Sequence, residues 1–566
     1  MENIFLDIGV IIIVAAVGAF LARLIKQPLI PAYVIGGILL GPVLGLIVNN
    51  ESIATLSEIG IAFLLFIVGL EMDFRKLKNV ALVCTAGGLI QMAALFGLGF
   101  LIAFLFGFKS FDPLYLGLII AFSSTMVVIK LLADKGEIET LHGRIIIGIL
   151  LMEDVVAIFA LSLIQNLGNF GLYDITISTL KGIAVFVISW IASKYILPYL
   201  FKFAAKTQEI LFLGALATSF AFSILFSYLG FSIVIGAFTA GIALANTNYS
   251  IEIAGKIKSL KDFFSTIFFV SLGLQILPGT IMPMLPLLIA LILAIIIIKP
   301  LLTITICSIF GYKKRPSFIA AISLAQTSEF SLIIVMQGVL LGHISNAFFS
   351  MAVVLATATM LFTSYFIKFD NFLYEKIGHL LNFYSVFVRY EEEPDNMTEH
   401  NDVALLGYDR IGYSILKKLK LMGYRPIIVD YNPDIIKRLK SQKFSCMYGD
   451  VGDSETLAKL GFSHMNMIIS TVPDKFDNLL IIKNARESNE KAIMFVTANN
   501  VDDALELYDA GADYVILPHF LGGEHVSLLI EKFSADLRSI LEIKMRHIEE
   551  LKERKKLGHE HPEHAK

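Results

Sequence analysis

Residues 122–158 read FSSTMVVIKLLADKGEIETLHGRIIIGILLMEDVVAI. Two apolar helical runs flank a short polar connection, and the second run carries Glu153 and Asp154 side by side, well inside it. A charge at mid-membrane depth costs roughly 2.5–3.5 kcal/mol on an insertion scale, so two adjacent carboxylates there need a reason. Ser123, Ser124 and Thr125 fall in the middle of the first run. Unwound backbone at membrane depth is tolerated only where it is packed in protein or lines a watery cavity, which is how many carriers build ion sites. This stretch therefore predicts a multi-span α-helical membrane protein with a charged, interrupted interior.

The whole chain agrees. Of its 566 residues 56% are apolar and 17% charged, against about 45–50% and about 25% in soluble domains. That balance excludes a purely soluble enzyme, and a net charge of -3 argues against a nucleic-acid binder working through a basic surface. The average hides two solvents: residues 1–389 hold 23 basic and 19 acidic residues, residues 390–566 hold 23 and 30. Cys84, Cys307 and Cys446 are isolated thiols and form no disulfide framework. Glu2 and Asp7 leave no basic n-region, so the first apolar run reads as a retained span.

Thirteen apolar runs long enough to cross about 30 Å of hydrocarbon begin near residues 4, 29, 53, 80, 113, 145, 174, 208, 231, 262, 281, 317 and 345. Alternate connections collect 17 Lys and Arg, from Arg23 and Lys26 to Lys313, Lys314 and Arg315, while the intervening ones offer only Lys109 and Lys181. By the positive-inside rule this predicts thirteen helices in the cell (inner or plasma) membrane, with the N-terminus outside and everything after about residue 376 in the cytoplasm.

Further spans are interrupted. Gly36, Gly37, Gly41 and Pro42 crowd the second, where close helix packing is the alternative reading. Lys299, followed by Pro300, lies in the eleventh, and Gln326 and Glu329 lie in the twelfth. A buried ion pair that only fixes packing is one reading of Glu153, Asp154 and Lys299. Neighbouring residues on a helix point about 100° apart, so Lys299 can neutralise only one carboxylate well. The other can take up either a proton or a dehydrated monovalent cation, with oxygens of Ser123, Ser124 and Thr125 completing the shell. The spans hold no His/Cys cluster suited to a transition metal.

After a charged linker (EEEPDNMTEHND, 391–402) comes VALLGYDRIGYSILKKLKLMGYRPIIVD, residues 403–430. A strand, a Gly-bounded turn, an amphipathic helix and a second strand ending at Asp430 make a βαβ unit. Further strands are expected at 443–448, 467–470, 492–496 and 514–517, giving a doubly wound Rossmann-like α/β domain. The turn Gly407, Tyr408, Asp409, Arg410, Ile411, Gly412 has Asp409 where the dinucleotide fingerprint has its middle glycine. A carboxylate there repels pyrophosphate, which disfavours NAD. AMP or ADP stays open, with Asp430 and Asp450 available to ribose or adenine edges and Arg410 offsetting charge; a ligand-free dimerisation module is the alternative. The expected layout is a transmembrane domain at 1–376, a linker at 377–400, a nucleotide-binding domain at 401–520, and a charged helix with a His-containing tail at 521–566.

The run at 122–158, with the Lys299 helix and AQTSEF at 325–330, resembles the monovalent cation:proton antiporter-2 family, in particular its Kef-type potassium/proton branch. The resemblance implies an inverted-repeat antiporter fold in which a core rocks against a dimerisation domain, with the fifth and twelfth spans crossing as broken helices. It implies Asp154 as the ion- and proton-binding residue, Lys299 as the competing charge, Glu329 as a supporting group, and Gln326 and the Ser-Ser-Thr run in the same core. Kef-type members usually carry Gln before this Asp and electrogenic sodium relatives carry Asp, whereas this chain has Glu153. K⁺ against Na⁺ therefore stays open. Residues 401–520 resemble the RCK/KTN (TrkA-N) domain, which implies a homodimer gated by nucleotide. The expected function is exchange of K⁺ or Na⁺ for H⁺, not enzymatic. Competing readings are an RCK-gated potassium channel, a transport-inactive nucleotide sensor and a membrane-bound NAD-dependent oxidoreductase. The first lacks a TVGYG-type filter and the last lacks a catalytic His/Cys constellation.

Overall fold

The computed structural model describes residues 4–164, 191–378, 381, 401–535 and 548–549, except for 26, 48–50, 72–81, 136, 138–139, 206, 229–232, 246, 248, 313, 409, 432, 450 and 453. The chain divides into two compact units, 1–388 and 389–566. Each is taken by itself.

The first unit is helical. In chain order it contains α1 (Ile4–Leu24), α2 (Leu29–Ile38), α3 (Glu51–Glu71), α4 (Gly88–Leu105), α5 (Asp112–Ala121), α6 (Thr125–Lys135), α7 (Leu141–Ile164) and α8 (Leu197–Ala204). It continues with α9 (Gln208–Tyr228), α10 (Ile233–Ala245), α11 (Ser250–Leu274), α12 (Leu285–Leu293), α13 (Lys299–Ile309), α14 (Lys314–Ser323), α15 (Glu329–Leu340), α16 (Asn346–Lys368) and α17 (Asp370–Ile377). Among the described residues, six helical segments are long and apolar enough to cross a membrane, including Asp112–Ala133, Pro278–Ile309 and Asn346–Lys368. The apolar run expected near 174 begins outside the described residues. The run expected from 262 is the second half of α11, which starts at Ser250: Lys256, Lys258 and Lys261 make that end polar without breaking the helix.

Two helices are broken where hydroxyl residues interrupt the apolar run. Residues 122–124 separate α5 from α6, and residues 324–328 separate α14 from α15. A serine caps the start of each second half: Ser124 Oγ accepts the Val127 N–H at 3.4 Å, and Ser328 Oγ accepts the Phe330 N–H at 3.1 Å. Such caps satisfy backbone donors that a new helix start leaves unpaired. The other interruptions are milder. Residues 39–43, with Pro42, and residues 294–298, before Lys299 and Pro300, form wide π turns that continue a helix.

The glycines of the second span serve close packing. A Cβ on Gly37 would fall on the Val270 carbonyl of α11, and one on Gly273 would fall on the Val34 carbonyl of α2. Gly69 of α3 and Gly241 of α10 meet in the same way, against the Phe238 and Phe66 carbonyls. Contacts this close need residues without side chains.

The second unit holds a six-stranded parallel sheet in the order β3-β2-β1-β4-β5-β6. The strands are β1 (Val403–Leu406), β2 (Pro426–Asp430), β3 (Ser445–Tyr448), β4 (Met467–Ser470), β5 (Ile493–Thr497) and β6 (Tyr514–Ile516). All of β1 and β2 is buried, as sheets covered by helices on both faces require. Helix α18 (Arg410–Leu421) follows β1 and α19 (Pro433–Ser441) follows β2. Beyond the sheet, helix α20 begins at Pro518 and runs to Ala535; the three tail histidines lie outside the described residues.

Candidate functional site

The two breaks bring Glu153, Asp154, Lys299, Gln326, Glu329 and the Ser123–Thr125 run into one buried polar centre. Glu153, on α7, is well supplied. It accepts the Ser123 backbone N–H, and Ser123 Oγ and Gln91 Nε2 each lie 3.4 Å from it. Asp154, one residue on, has a single donor among the described residues: Thr125 Oγ1, 3.0 Å from both carboxylate oxygens. Glu329 opens α15, lies beside the Ser124 hydroxyl and accepts the Met126 N–H at 3.3 Å through one oxygen, while its second oxygen meets the hydrogen-bond criteria with no partner among the described residues. The Gln326 side-chain oxygen is a second unpartnered acceptor, its amide donating to the Ser124 carbonyl at 3.3 Å.

Lys299 sits differently from the sequence expectation. Its ammonium donates to three carbonyls, Ile120 and Phe122 at 3.0 Å and Gln326 at 2.8 Å, and makes no ion pair within 4 Å among the described residues. These carbonyls are ones that the broken helices α5 and α14 leave unpaired, so the lysine ties the two breaks together through main chain. Glu153 meets the first break at Ser123, whereas Asp154 and Glu329 meet the start of α6 at Thr125 and Met126. The centre thus separates into a Glu153/Lys299 half and an Asp154/Glu329 half. Three carboxyl groups against one ammonium leave excess negative charge in a dry interior, and a proton or a cation must offset it.

Gln91 is the contributor that sequence reasoning missed. It is the lone polar side chain in GLIQMAALF, residues 88–96, and that isolation was the available signal. Thr359 of α16 was missed as well: its hydroxyl lies 3.3 Å from the Thr327 N–H at the second break, much as Glu153 meets the Ser123 N–H at the first.

In the second unit, Gly407 takes φ +87°, which favours glycine, and a Cβ on Gly412 would fall on the Gly407 carbonyl. Both fingerprint glycines are thus used by the turn and the helix packed against it. Asp430 accepts the Tyr408 N–H at 2.8 Å, so its carboxylate holds the turn. Tyr408 is buried beneath the Arg438 guanidinium, 5.5 Å from its ring centre. Ile411 lies in the first turn of α18 and Arg410 opens that helix; Asp409 and Asp450 lie outside the described residues.

A helical membrane unit with carboxylates at two broken helices, followed by a doubly wound parallel sheet, defines an ion-exchanger type of membrane protein with a nucleotide-binding-type domain. Residues 10–369 match the sodium/hydrogen exchanger transmembrane family, and residues 403–518 match the TrkA-N domain. The chain belongs to this exchanger family, in its monovalent cation:proton antiporter-2 group. It is 30% identical over 338 residues to K(+) efflux antiporter 5 of Arabidopsis thaliana, covering 58% of this chain and 60% of that protein. It is 26% identical over 492 residues to the glutathione-regulated potassium-efflux system protein KefC of Klebsiella pneumoniae, covering 85% of this chain and 77% of that protein. The chain thus spans 57–60% of the length of the plant relatives it matches. The sodium proton antiporter MjNhaP1 of Methanocaldococcus jannaschii shares the membrane fold, with a TM-score of 0.51 at 15% identity over 65% of this chain and 97% of that one.

Proposed function

We propose that the protein is a monovalent cation/proton antiporter that exchanges K⁺ for H⁺ by alternating access, with Asp154 as the group that carries either ion. The observation that carries this reading is the contrast at Asp154: among the described residues it is a buried carboxylate with one hydroxyl donor, at the same end of α6 as Glu329, while the ammonium of Lys299 is spent on carbonyls. Such a carboxylate lacks the hydrogen bonds and counter-charge that a purely structural ion carries. Thr125, Ser123, Ser124, Gln326 and Glu329 supply further oxygens, Lys299 fixes the breaks, and Glu153 is the held charge. The names of the plant and KefC relatives support K⁺ as the cation.

In this reading thirteen helices cross the cell membrane, the N-terminus lies outside and residues after about 376 lie in the cytoplasm. The layout is a transport domain at 1–376, a linker at 377–400, a TrkA-N domain at 401–520 and a charged end at 521–566. The TrkA-N domain binds a regulatory nucleotide at Gly407–Gly412, Asp430 and Asp450, with AMP or ADP favoured over NAD, and the carrier is a homodimer. Reconstituted protein should dissipate an imposed pH gradient on addition of K⁺, with Na⁺ and Li⁺ compared at clamped potential. Absence of exchange with every cation would refute the assignment.

A further inference from the structure

The far end of α6, away from the break, carries an ion cluster that the exchange centre does not use. Lys135, two residues beyond the apolar stretch that ends at Ala133, lies 2.6 Å from Asp370 and 2.8 Å from Glu137. His142 Nε2, on α7, lies 3.2 Å from the other Glu137 oxygen. The Glu137 N–H bonds the Leu132 carbonyl at 2.9 Å, which folds the loop back onto α6. The Asp370 side chain is 3% exposed and that of Glu137 7%, so these contacts are largely shielded from solvent screening.

Asp370 opens α17, the last described helix before the second unit. The same short helix grips α14: the Phe318 and Tyr374 rings are 5.6 Å apart, and Leu373 and Tyr374 pack on a cluster that includes Phe318, Ile319 and Ile322. One helix therefore holds both α6 and α14, whose inner ends lead to Thr125 and to the Gln326 carbonyl. α6 spans 11 residues, a rod of about 16 Å at 1.5 Å per residue, and a shift at its far end reaches Thr125.

We propose that Asp370, through Lys135, is a positioning residue of the ion centre: α17 sets the tilt of α6, and with it the distance between Thr125 and Asp154. Glu137 is driven down to about 2: burial opposes the shift, and the His142 hydrogen bond and the Lys135 charge outweigh it. Lys135 is raised, with burial again opposed and outweighed by Asp370 and Glu137. Both therefore stay charged from about pH 5 to about pH 10.

The inference rests on the exchange reading, and one experiment separates the two. Full-length Asp370→Asn, Lys135→Met and the charge swap Lys135→Asp/Asp370→Lys are reconstituted, and K⁺-driven exchange is measured with the melting temperature. Each single variant should shift the apparent KM for K⁺ severalfold, and the swap should recover it toward wild type. An unchanged KM in the singles overturns the coupling while leaving exchange standing; lack of exchange in wild type overturns the exchange reading itself. A melting-temperature loss at unchanged KM marks a structural clamp and also overturns the coupling. Should Asp370→Asn not fold, Asp370→Glu keeps the charge one methylene further out: a KM shift supports the proposal and an unchanged KM refutes it.

Discussion

Glu153 and Asp154 are neighbours on one helix, yet they occupy opposite halves of the buried centre. Among the described residues, Glu153 lies against a backbone N–H, a serine hydroxyl and an amide, whereas Asp154 has one threonine hydroxyl. The helical step of about 100° produces the difference, because it aims one side chain at the first break and the other at the start of α6. Equal chemistry thus sits in unequal surroundings: one acid is held by several donors, and the other is the one proposed to exchange its ligand.

The strongest way to break this contrast is Asp154→Asn, which should abolish exchange in proteoliposomes while the protein stays folded and elutes as wild type; retained exchange would place the ion elsewhere. Lys299→Met comes next. It strands three buried carbonyls, each costing about 1–3 kcal/mol when left unsatisfied, read as a large fall in melting temperature. Glu153→Gln keeps an acceptor for the Ser123 N–H and should cost only about 1–2 kcal/mol, with exchange persisting at an altered voltage dependence. If Glu153→Gln silenced exchange as fully as Asp154→Asn, the two halves would have to be merged. Thr125→Val removes the one donor on Asp154 and should raise the apparent KM for K⁺ about tenfold, equivalent to about 1.4 kcal/mol, whereas Thr125→Ser should keep it. The smallest effect is expected at the outer cluster. Glu137, with its lowered value, contributes stability that is full above about pH 4.5 and lost as pH falls toward about 2. The melting-temperature difference between wild type and Glu137→Gln should therefore shrink as pH falls from about 4.5 toward about 2.

Much of this centre was legible in the sequence because membrane burial makes polar residues conspicuous. Ser123–Thr125, Glu153, Asp154, Lys299, Gln326 and Glu329 stand out from apolar runs, and the structure gathers all of them. What Lys299 touches was not legible, since its partners are main-chain carbonyls that any residue type supplies. The tie from Lys135 to Asp370 was hidden by a separation of 235 residues between two ordinary polar helix ends. In the second unit the doubly wound sheet and the Gly-bounded turn follow from Gly407 and the alternation of strands with helices. The engagement of Asp430 by the Tyr408 N–H did not, because an acid at the end of β2 reads equally as a ribose ligand or as a clamp on the turn.

The glycine contacts carry one more consequence. Gly37 and Gly69 are 32 residues apart, as are Gly241 and Gly273, and they meet crosswise: Gly37 with Gly273, Gly69 with Gly241. Each contact joins the first half of the membrane unit to the second, so neither half can be grafted or swapped alone without bringing its own small residues to match the other's. Chimeras between relatives should be exchanged at these seams as paired positions.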